Sequence, residues 1–299
     1  MATDILIERS TLTHRKGMAG IVNSVGRFAR RKPLGAFGAA LIVVLAFMAI
    51  FANVIAPYDP YKQQLNDYLA SPNVNHIMGA DNFGRDLFSR ILHGARISLY
   101  VGLGAVSSGA VFGAVLGLSS AFFGGKFDYI VQRFIDIKQA IPGLILAMAI
   151  VSTLGPSVNN VLIAIAIGFI ATQTRVIRSA ALSIKHQDYM LAAQALGASN
   201  RRMMFMHMLP NVMAPFIVLA SAELGTAVLT EASLSFLGLG TQPPTPSWGA
   251  MLSGDHRRFM AQAPWLVIFP GLAISMAVFG FNLLGDALRD VWDPRLRGR

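Results

Sequence analysis

Six apolar blocks, each near the length that crosses a ~30 Å hydrocarbon slab at 1.5 Å of helical rise per residue, leave little of this chain for anything but spans and connectors. No single water-soluble core hides that much apolar surface. The shortage of charge agrees: 13% of the 299 residues are Asp, Glu, Lys or Arg, against about 25% in ordinary globular chains. The expected fold is all-α, an integral membrane protein with six transmembrane helices. The absence of cysteine excludes disulfides, thiolate nucleophiles, iron–sulfur ligation and Cys-based zinc sites from the chain. A net charge of +10 would suit nucleic acid, but much of the basicity sits beside the apolar blocks, where it sets orientation in the lipid bilayer.

Residues 1–33 form a basic tail with Arg9, Arg15, Lys16, Arg27, Arg30, Arg31 and Lys32, and Leu34 to Ile55 is the first span, too long for a signal-peptide core. A polar loop at about 57–96 precedes the second span, Ile97 to Phe123, and Gly124-Gly125 turns the chain into the third. That third block opens with Tyr129 to Ala140, carrying Arg133, Asp136 and Lys138. Its wholly apolar part, Ile141 to Leu154, is short for a crossing, so the charged turns sit at the interface or face protein. The fourth span runs from Val158 to Ala171 or slightly beyond, ending in Arg175 and Arg178; a basic connector follows at about 179–209. The fifth, Asn211 to about Ser233, leads to a Gly/Pro-rich loop at about 238–264 with Trp248 and Asp255-His256-Arg257-Arg258. The sixth, Pro264 to Leu284, leaves a tail at 291–299 with Arg295, Arg297 and Arg299. With the amino terminus cytoplasmic, the basic tails, the Gly124-Gly125 turn and the 179–209 connector share one side, as the positive-inside bias requires. Six crossings return both termini there.

In the second span Ala105, Gly109, Gly113, Gly117 and Ala121 recur every four residues, a small-residue stripe for close helix contact with either this chain or a second subunit. Glu223 and Glu231 lie in the fifth span, where a carboxylate costs about 2.5–3.5 kcal/mol unless it faces protein or water. Glu223 falls near the midplane, as pathway wall or as a carboxylate tied by hydroxyls such as Thr226 and Thr230; Glu231 lies near the outer face, a lesser pathway candidate. Asp86, Ser89, Arg90 and His93 recur at helical spacing, with Asp86 and Arg90 an i,i+4 pair. Gly84, Arg85, Asp86 and Arg90 thus mark a short external interfacial helix leading into the second span. Asp188 suits the N-cap of a short helix through Tyr189, Ala192, Ala193 and Leu196 that Gly197 ends. Such a helix can lie in a partner's groove. The six histidines are scattered with no H-E-x-x-H, and Gly124-Gly125-Lys126 is followed by Phe127 rather than Ser or Thr, so neither a metal site nor a nucleotide site is expected. Work against a gradient then needs a partner or an ion.

Tyr189-Met-Leu-Ala-Ala-Gln-Ala-Leu-Gly197 followed by Met208-Leu-Pro-Asn211 resembles the cytoplasmic signature loop of bacterial ABC-importer permeases, E-A-A, three residues, G, then nine residues, I, x, L-P. Leu191 stands in the Glu position and His207 in the Ile position; Ala192, Ala193, Gly197, Leu209 and Pro210 match. Met78-Gly-Ala-Asp-Asn-Phe-Gly-Arg-Asp-Leu-Phe-Ser-Arg90, Gly94-Ala-Arg-Ile-Ser-Leu99, Ala232-Ser-Leu-Ser-Phe-Leu-Gly-Leu-Gly240, Pro243-Pro-Thr-Pro-Ser-Trp-Gly249 and Phe281-Asn-Leu-Leu-Gly-Asp-Ala-Leu-Arg-Asp290 are similar to the C-type permease of the dipeptide, oligopeptide and nickel importer family. The likeness runs from about Leu34 onward.

The resemblance implies a type I ABC-importer permease domain at 34–290 in the bacterial inner membrane, paired with a homologous B-type permease, two cytoplasmic ATPases that bind the ATP and magnesium, and an extracytoplasmic solute-binding protein. This chain would itself be non-catalytic and hold no cofactor. The helix Asp188 to Gly197, with Leu209 and Pro210, would be the coupling element seated on an ATPase, driving alternating access. Ile141-Pro142, lacking one intrahelical hydrogen bond, would allow the third span to bend. Peptide is the expected cargo on family frequency, with nickel or another small solute the alternative. A proton-driven secondary transporter working through Glu223 would usually show two repeated halves, which the sequence lacks.

Overall fold

Hydrocarbon offers no partner to a backbone N–H or C=O, so spans satisfy their own groups as helices. The computed structural model describes residue 26 and residues 28–253 and 258–292. Among these the regular elements are helical, and extended backbone pairs only at an isolated bridge between Ala80 and Asp86. The main helices are α1 (Pro33–Ile50), α2 (Leu87–Phe123), α3 (Gly125–Gln139), α4 (Gly143–Leu154), α5 (Val158–Lys185), α6 (Asp188–Ala195), α7 (Leu209–Phe236) and α8 (Trp265–Trp292). Five stretches are long and apolar enough to cross a membrane: α1, α2, α5, residues 200–236 ending in α7, and α8. The pair α3–α4, bent by 90°, makes a sixth if it counts as one span. Arg9, Arg15, Lys16, Arg27, Asp255, His256, Arg257, Arg295, Arg297 and Arg299 lie outside the described residues.

Large apolar side chains point outward, such as Val43 and Phe47 on α1 and Val111, Phe112 and Val115 on α2. The inner face of α2 is made of small ones. A Cβ built on Gly109 would stand 2.8 Å from the Ala166 carbonyl oxygen, one on Gly113 2.5 Å from Gln173 Cβ, and one on Gly117 2.5 Å from the Thr174 oxygen. Glycine is therefore what allows the backbones of α2 and α5 to touch, and the stripe's contact lies within this chain. At the other side of the bundle Gly38 of α1 packs on the Gly280 carbonyl of α8, and Lys32 meets Asp290 at 2.7 Å, bringing the start of α1 and the end of α8 to one face.

Several helices outrun their apolar blocks. The second starts at Leu87, ten residues before Ile97, so no separate interfacial helix exists; Gly84 and Arg85 precede α2 and Asp86 is its N-cap. Gly84, at φ 66°, turns the chain before the helix starts. The fourth continues through Arg175 and Arg178 to Lys185 because those cations have partners: Arg178 holds Asp128 with Nε at 2.6 Å from Oδ1, Arg175 pairs with Asp136, and Lys185 Nζ donates to the Ala121 and Phe122 carbonyls. The sixth extends to Trp292, past Arg289 and Asp290. The 179–209 connector shrinks accordingly to the ends of α5 and α7 plus α6. Pro210 has no N–H for the preceding turn, and Met203–Met208 is π-helical, the Leu209 N–H reaching back five residues to Met204. At Pro142 the third span breaks as expected.

Three clusters fill the interior. One joins α1, α2, α7 and α8 around Trp248; a second joins α2, α4, α5 and α7; the third, at the α6 end, gathers Leu118, Ile177, Ile184, Met190, Met203 and Met208. Replacing Gly113 by Ala is expected to destabilise the protein by about 1–3 kcal/mol, the size of an overpacking penalty. Gly168→Ala, where the new Cβ meets nothing within 4 Å, is expected to be neutral or to stabilise by up to about 1 kcal/mol through helix propensity. Thermal melting of the two variants in detergent checks the contrast.

Candidate functional site

Three groups of residues carry polar chemistry or exposed apolar surface, one in the middle of the bundle and one at each end. In the middle, Glu223 of α7 is 7% exposed, and its Oε2 accepts a hydrogen bond from Gln173 Nε2 of α5 at 2.9 Å. Gly113 makes room for Gln173 at that place. The other Glu223 oxygen, Oε1, and Gln173 Oε1 are both buried without a partner. Lys138, at the end of α3, acts on the carboxylate as a countercharge, and its Nζ donates to the Gly168 carbonyl. Thr226 and Thr230 do not tie the carboxylate, since the Thr230 hydroxyl donates to the Thr226 carbonyl along its own helix. Helical threonines commonly return their hydroxyl proton to the preceding turn in this way.

Glu231 is different. At 1% exposed, it accepts from Ser98 Oγ of α2 at 3.0 Å and from Ser235 Oγ at 2.8 Å, so both oxygens are used. It clamps α2 to α7, and Ser98 was not evident as its partner from the sequence because it is 133 positions away.

At one end lies α6. Asp188 is its first residue rather than its N-cap; Gln187, with extended backbone, takes that place without a side-chain bond, leaving the Asp188 carboxylate to favour the positive end of the helix. Gly197, at φ 79°, ends it: the Gly197 N–H reaches the Gln194 carbonyl and the Ala198 N–H the Ala193 carbonyl, the paired bonds of a left-handed cap. Met190 is buried in the third cluster and Tyr189 Oη accepts from Asn211 Nδ2 at 3.2 Å, next to Leu209 and Pro210. Leu191 and Leu196 point away from the bundle, Leu196 being 88% exposed. Ala192 is exposed and Ala193 half-buried, so a groove could approach the helix closely on that side.

At the opposite end residues 57–86, 238–253 and 258–264 fold into a cap over α2, α7 and α8. Trp248, fully buried, donates from Nε1 to the Ile91 carbonyl at 3.0 Å and lies against Gly94, while Gly249 packs on the Ala232 backbone. Trp265 Nε1 donates to the Ala80 carbonyl at 3.2 Å. The Asp86–Arg90 pair does not form. Asp86 caps α2 instead, accepting from the Ser89 N–H and hydroxyl, and its other oxygen meets His76 Nδ1 at 2.9 Å; Arg90 turns to Asp81. An N-cap carboxylate is committed to its own first turn and cannot also reach i+4. His76 Nε2 is 3.3 Å from Asp67. Among the described residues no three His, Asp or Glu side chains converge as a metal ion would require.

Both ring nitrogens of His76 face carboxylates. Burial opposes a charge there, but Asp86 and Asp67 outweigh it and raise the pKa above 6.5. A raised folded-state pKa stabilises the protein below about pH 6.5, and the contribution is lost as pH climbs through the folded value. The expected result is a melting temperature that falls with rising pH above neutrality, a fall that His76→Gln removes; equal slopes for the two proteins would contradict it.

Comparison with known proteins places these features in a wider set. Residues 109–298 match the family model described as binding-protein-dependent transport system inner membrane component, and residues 25–72 match that of the N-terminal TM domain of oligopeptide transport permease C. The chain is 44% identical over 268 residues to the dipeptide transport system permease protein DppC of Alkalihalophilus pseudofirmus, covering 90% of this chain and 88% of that protein. It is 43% identical over 278 residues to a di/tripeptide transport system permease protein of Pseudomonas aeruginosa, covering 90% of each. To a glutathione transport system permease protein of Escherichia coli it is 43% identical over 270 residues, covering 90% of this chain and 89% of that one.

Proposed function

Because the chain belongs to the family of binding-protein-dependent transport system inner membrane components, in the branch of C-type dipeptide and oligopeptide permeases, we infer that it forms half of a peptide-conducting pathway worked by other subunits. Its cargo is a short peptide, in line with the dipeptide, di/tripeptide and glutathione transport systems to which its relatives belong; nickel or another small solute is the alternative. The partners are a homologous B-type permease, two cytoplasmic ATPases and an extracytoplasmic solute-binding protein. ATP and magnesium belong to the ATPases, and this chain performs no catalysis. Both termini and α6 face the cytoplasm, a reading supported by the Lys32–Asp290 pair that joins the start of α1 to the end of α8 and by the basic residues of the sequence on that side.

The observation that carries the mechanism is α6. It is short, capped by Gly197, apolar on its outer side at Leu191 and Leu196, and anchored through Met190 in a cluster shared with α2, α5 and α7. ATPase closure would push on this surface, and the shared cluster would carry the displacement into the spans. An inward-open and an outward-open arrangement then exchange, biased by which one the nucleotide-bound ATPases fit. Glu223, with its spare oxygen near the middle of α7, is the wall residue nearest to a conducting path; Glu231 is the clamp beside it.

In the reconstituted complex, Gly197→Val forces a branched residue into φ 79° at a strain of about 1–2 kcal/mol. ATP hydrolysis is expected to continue while peptide uptake falls about tenfold; unchanged uptake removes α6 as the lever. Glu223→Gln is expected to alter uptake without altering the melting temperature, and wild-type uptake would return that residue to a packing role. Vesicles holding this chain alone are expected to accumulate no peptide with or without ATP.

A further inference from the structure

The Met78–Arg90 segment, whose resemblance to the family is long and ordered, has no task in the mechanism above. In the cap it lines a cavity of ≈ 380 Å³ with the 243–253 segment; Gln63, Asn82, Arg85, Arg90, Thr245 and Ser253 face into it. The lining holds two arginines and no acidic residue among those described. Behind it a single carboxylate serves both cations: Asp81 Oδ2 stands 2.7 Å from Arg85 Nε and 3.6 Å from Arg90 Nε. Its other oxygen is taken by the Phe83 and Arg85 N–H groups. One positive charge is left over in a place sheltered from water.

The spare donors are identifiable. Arg85 uses only Nε, with its guanidinium 4.6 Å above the Phe83 ring, and Arg90 uses only Nη1, toward the Pro60 and Pro244 carbonyls at 3.0 and 3.4 Å. Arg90, whose side chain is 6% exposed, leaves Nε without a hydrogen bond, and Asn82 keeps a buried amide oxygen without one. Buried cations with unfilled donors recover their desolvation only when an anion arrives. A planar fork of N–H groups matches a carboxylate in geometry as well as charge, and the volume falls within the ~300–1,000 Å³ of small-ligand sites.

We propose that this cavity is a carboxylate-binding site with Arg85 and Arg90 as its cationic wall. The chemistry stands on the cavity alone. Only the bearer of the carboxylate rests on the importer reading: the carboxy terminus of a peptide in transit, or an Asp or Glu side chain of the docked solute-binding protein.

The test uses the assembled complex in nanodiscs without nucleotide, with N-acetyl-L-alanine as probe and its neutral isostere N-acetyl-L-alaninamide as control, followed by saturation-transfer NMR. The acid is expected to bind at least about tenfold more tightly, the worth of one charge-assisted hydrogen bond. Arg85→Gln should remove that preference. Ser253→Leu, which puts bulk into the cavity while leaving both arginines in the chain, should block the acid as well and decides the matter if the first variant fails to assemble. Equal binding of acid and amide, or acid binding that survives both variants in complexes melting like the wild type, overturns the proposal. Given binding, an acid that displaces the solute-binding protein assigns the carboxylate to that protein. An acid displaced by Ala-Ala, with docking unaffected, assigns it to the substrate. Loss of ATP-driven uptake in a complex that still prefers the acid would defeat the importer reading and leave the site standing.

Discussion

Backbone-to-backbone contact between α2 and α5 is the constraint on which the remaining geometry depends. Lipid tails are as apolar as leucine, so burying leucine gives two spans little reason to associate; close packing does. With Gly109, Gly113 and Gly117 the two helices approach until a methyl group would collide with a carbonyl oxygen. That approach turns Gln173 toward Glu223 and sets Arg175 and Arg178 where the acids of α3 can meet them. The polar middle of the bundle and the charged flank of the bent span therefore follow from three missing side chains.

The cap uses a different principle. It is held by interactions that cross from one chain segment to another: Trp248 to the Ile91 carbonyl, Trp265 to the Ala80 carbonyl, and His76 between Asp67 and Asp86. The buried Asp81, Asp86 and His76 come with partners, as the desolvation of an ion demands. Because Asp86 both caps α2 and holds His76, the start of the longest helix and the ordering of the preceding loop are one event.

What the sequence made legible was whatever depends on solvent preference and backbone stereochemistry. The apolar blocks marked the five long spans, Pro142 the break between α3 and α4, Gly197 the end of α6 and the four-residue rhythm of α2 its packing face. The ends of helices were read less well, since hydropathy reports where a helix leaves lipid and not where it stops; Leu87–Arg96 and Arg175–Lys185 stay helical because their polar groups find partners elsewhere in the fold. Pairings across long separations had no local signature. Trp248 with Gly94 and Glu231 with Ser98 join residues more than a hundred positions apart, and the Asp86–Arg90 pair, expected from spacing, lost to a capping role that only the folded loop reveals.

The right angle at Pro142 has a consequence for the bilayer. The arms of the bent span hold 15 and 12 residues, about 22 and 18 Å of helix, and neither reaches across a ~30 Å hydrocarbon layer by itself. At a right angle their end-to-end reach is about 28 Å at most, against about 55 Å for the 37-residue α2, so the apolar wall is lower on this flank. Lipid standing there must thin to meet it, at a fraction of a kcal/mol per ångström of hydrophobic mismatch. With Ile130, Phe134, Ile137 and Ile145 exposed along it, this flank is the perimeter least suited to lipid, and a neighbour of full height would relieve the thinning.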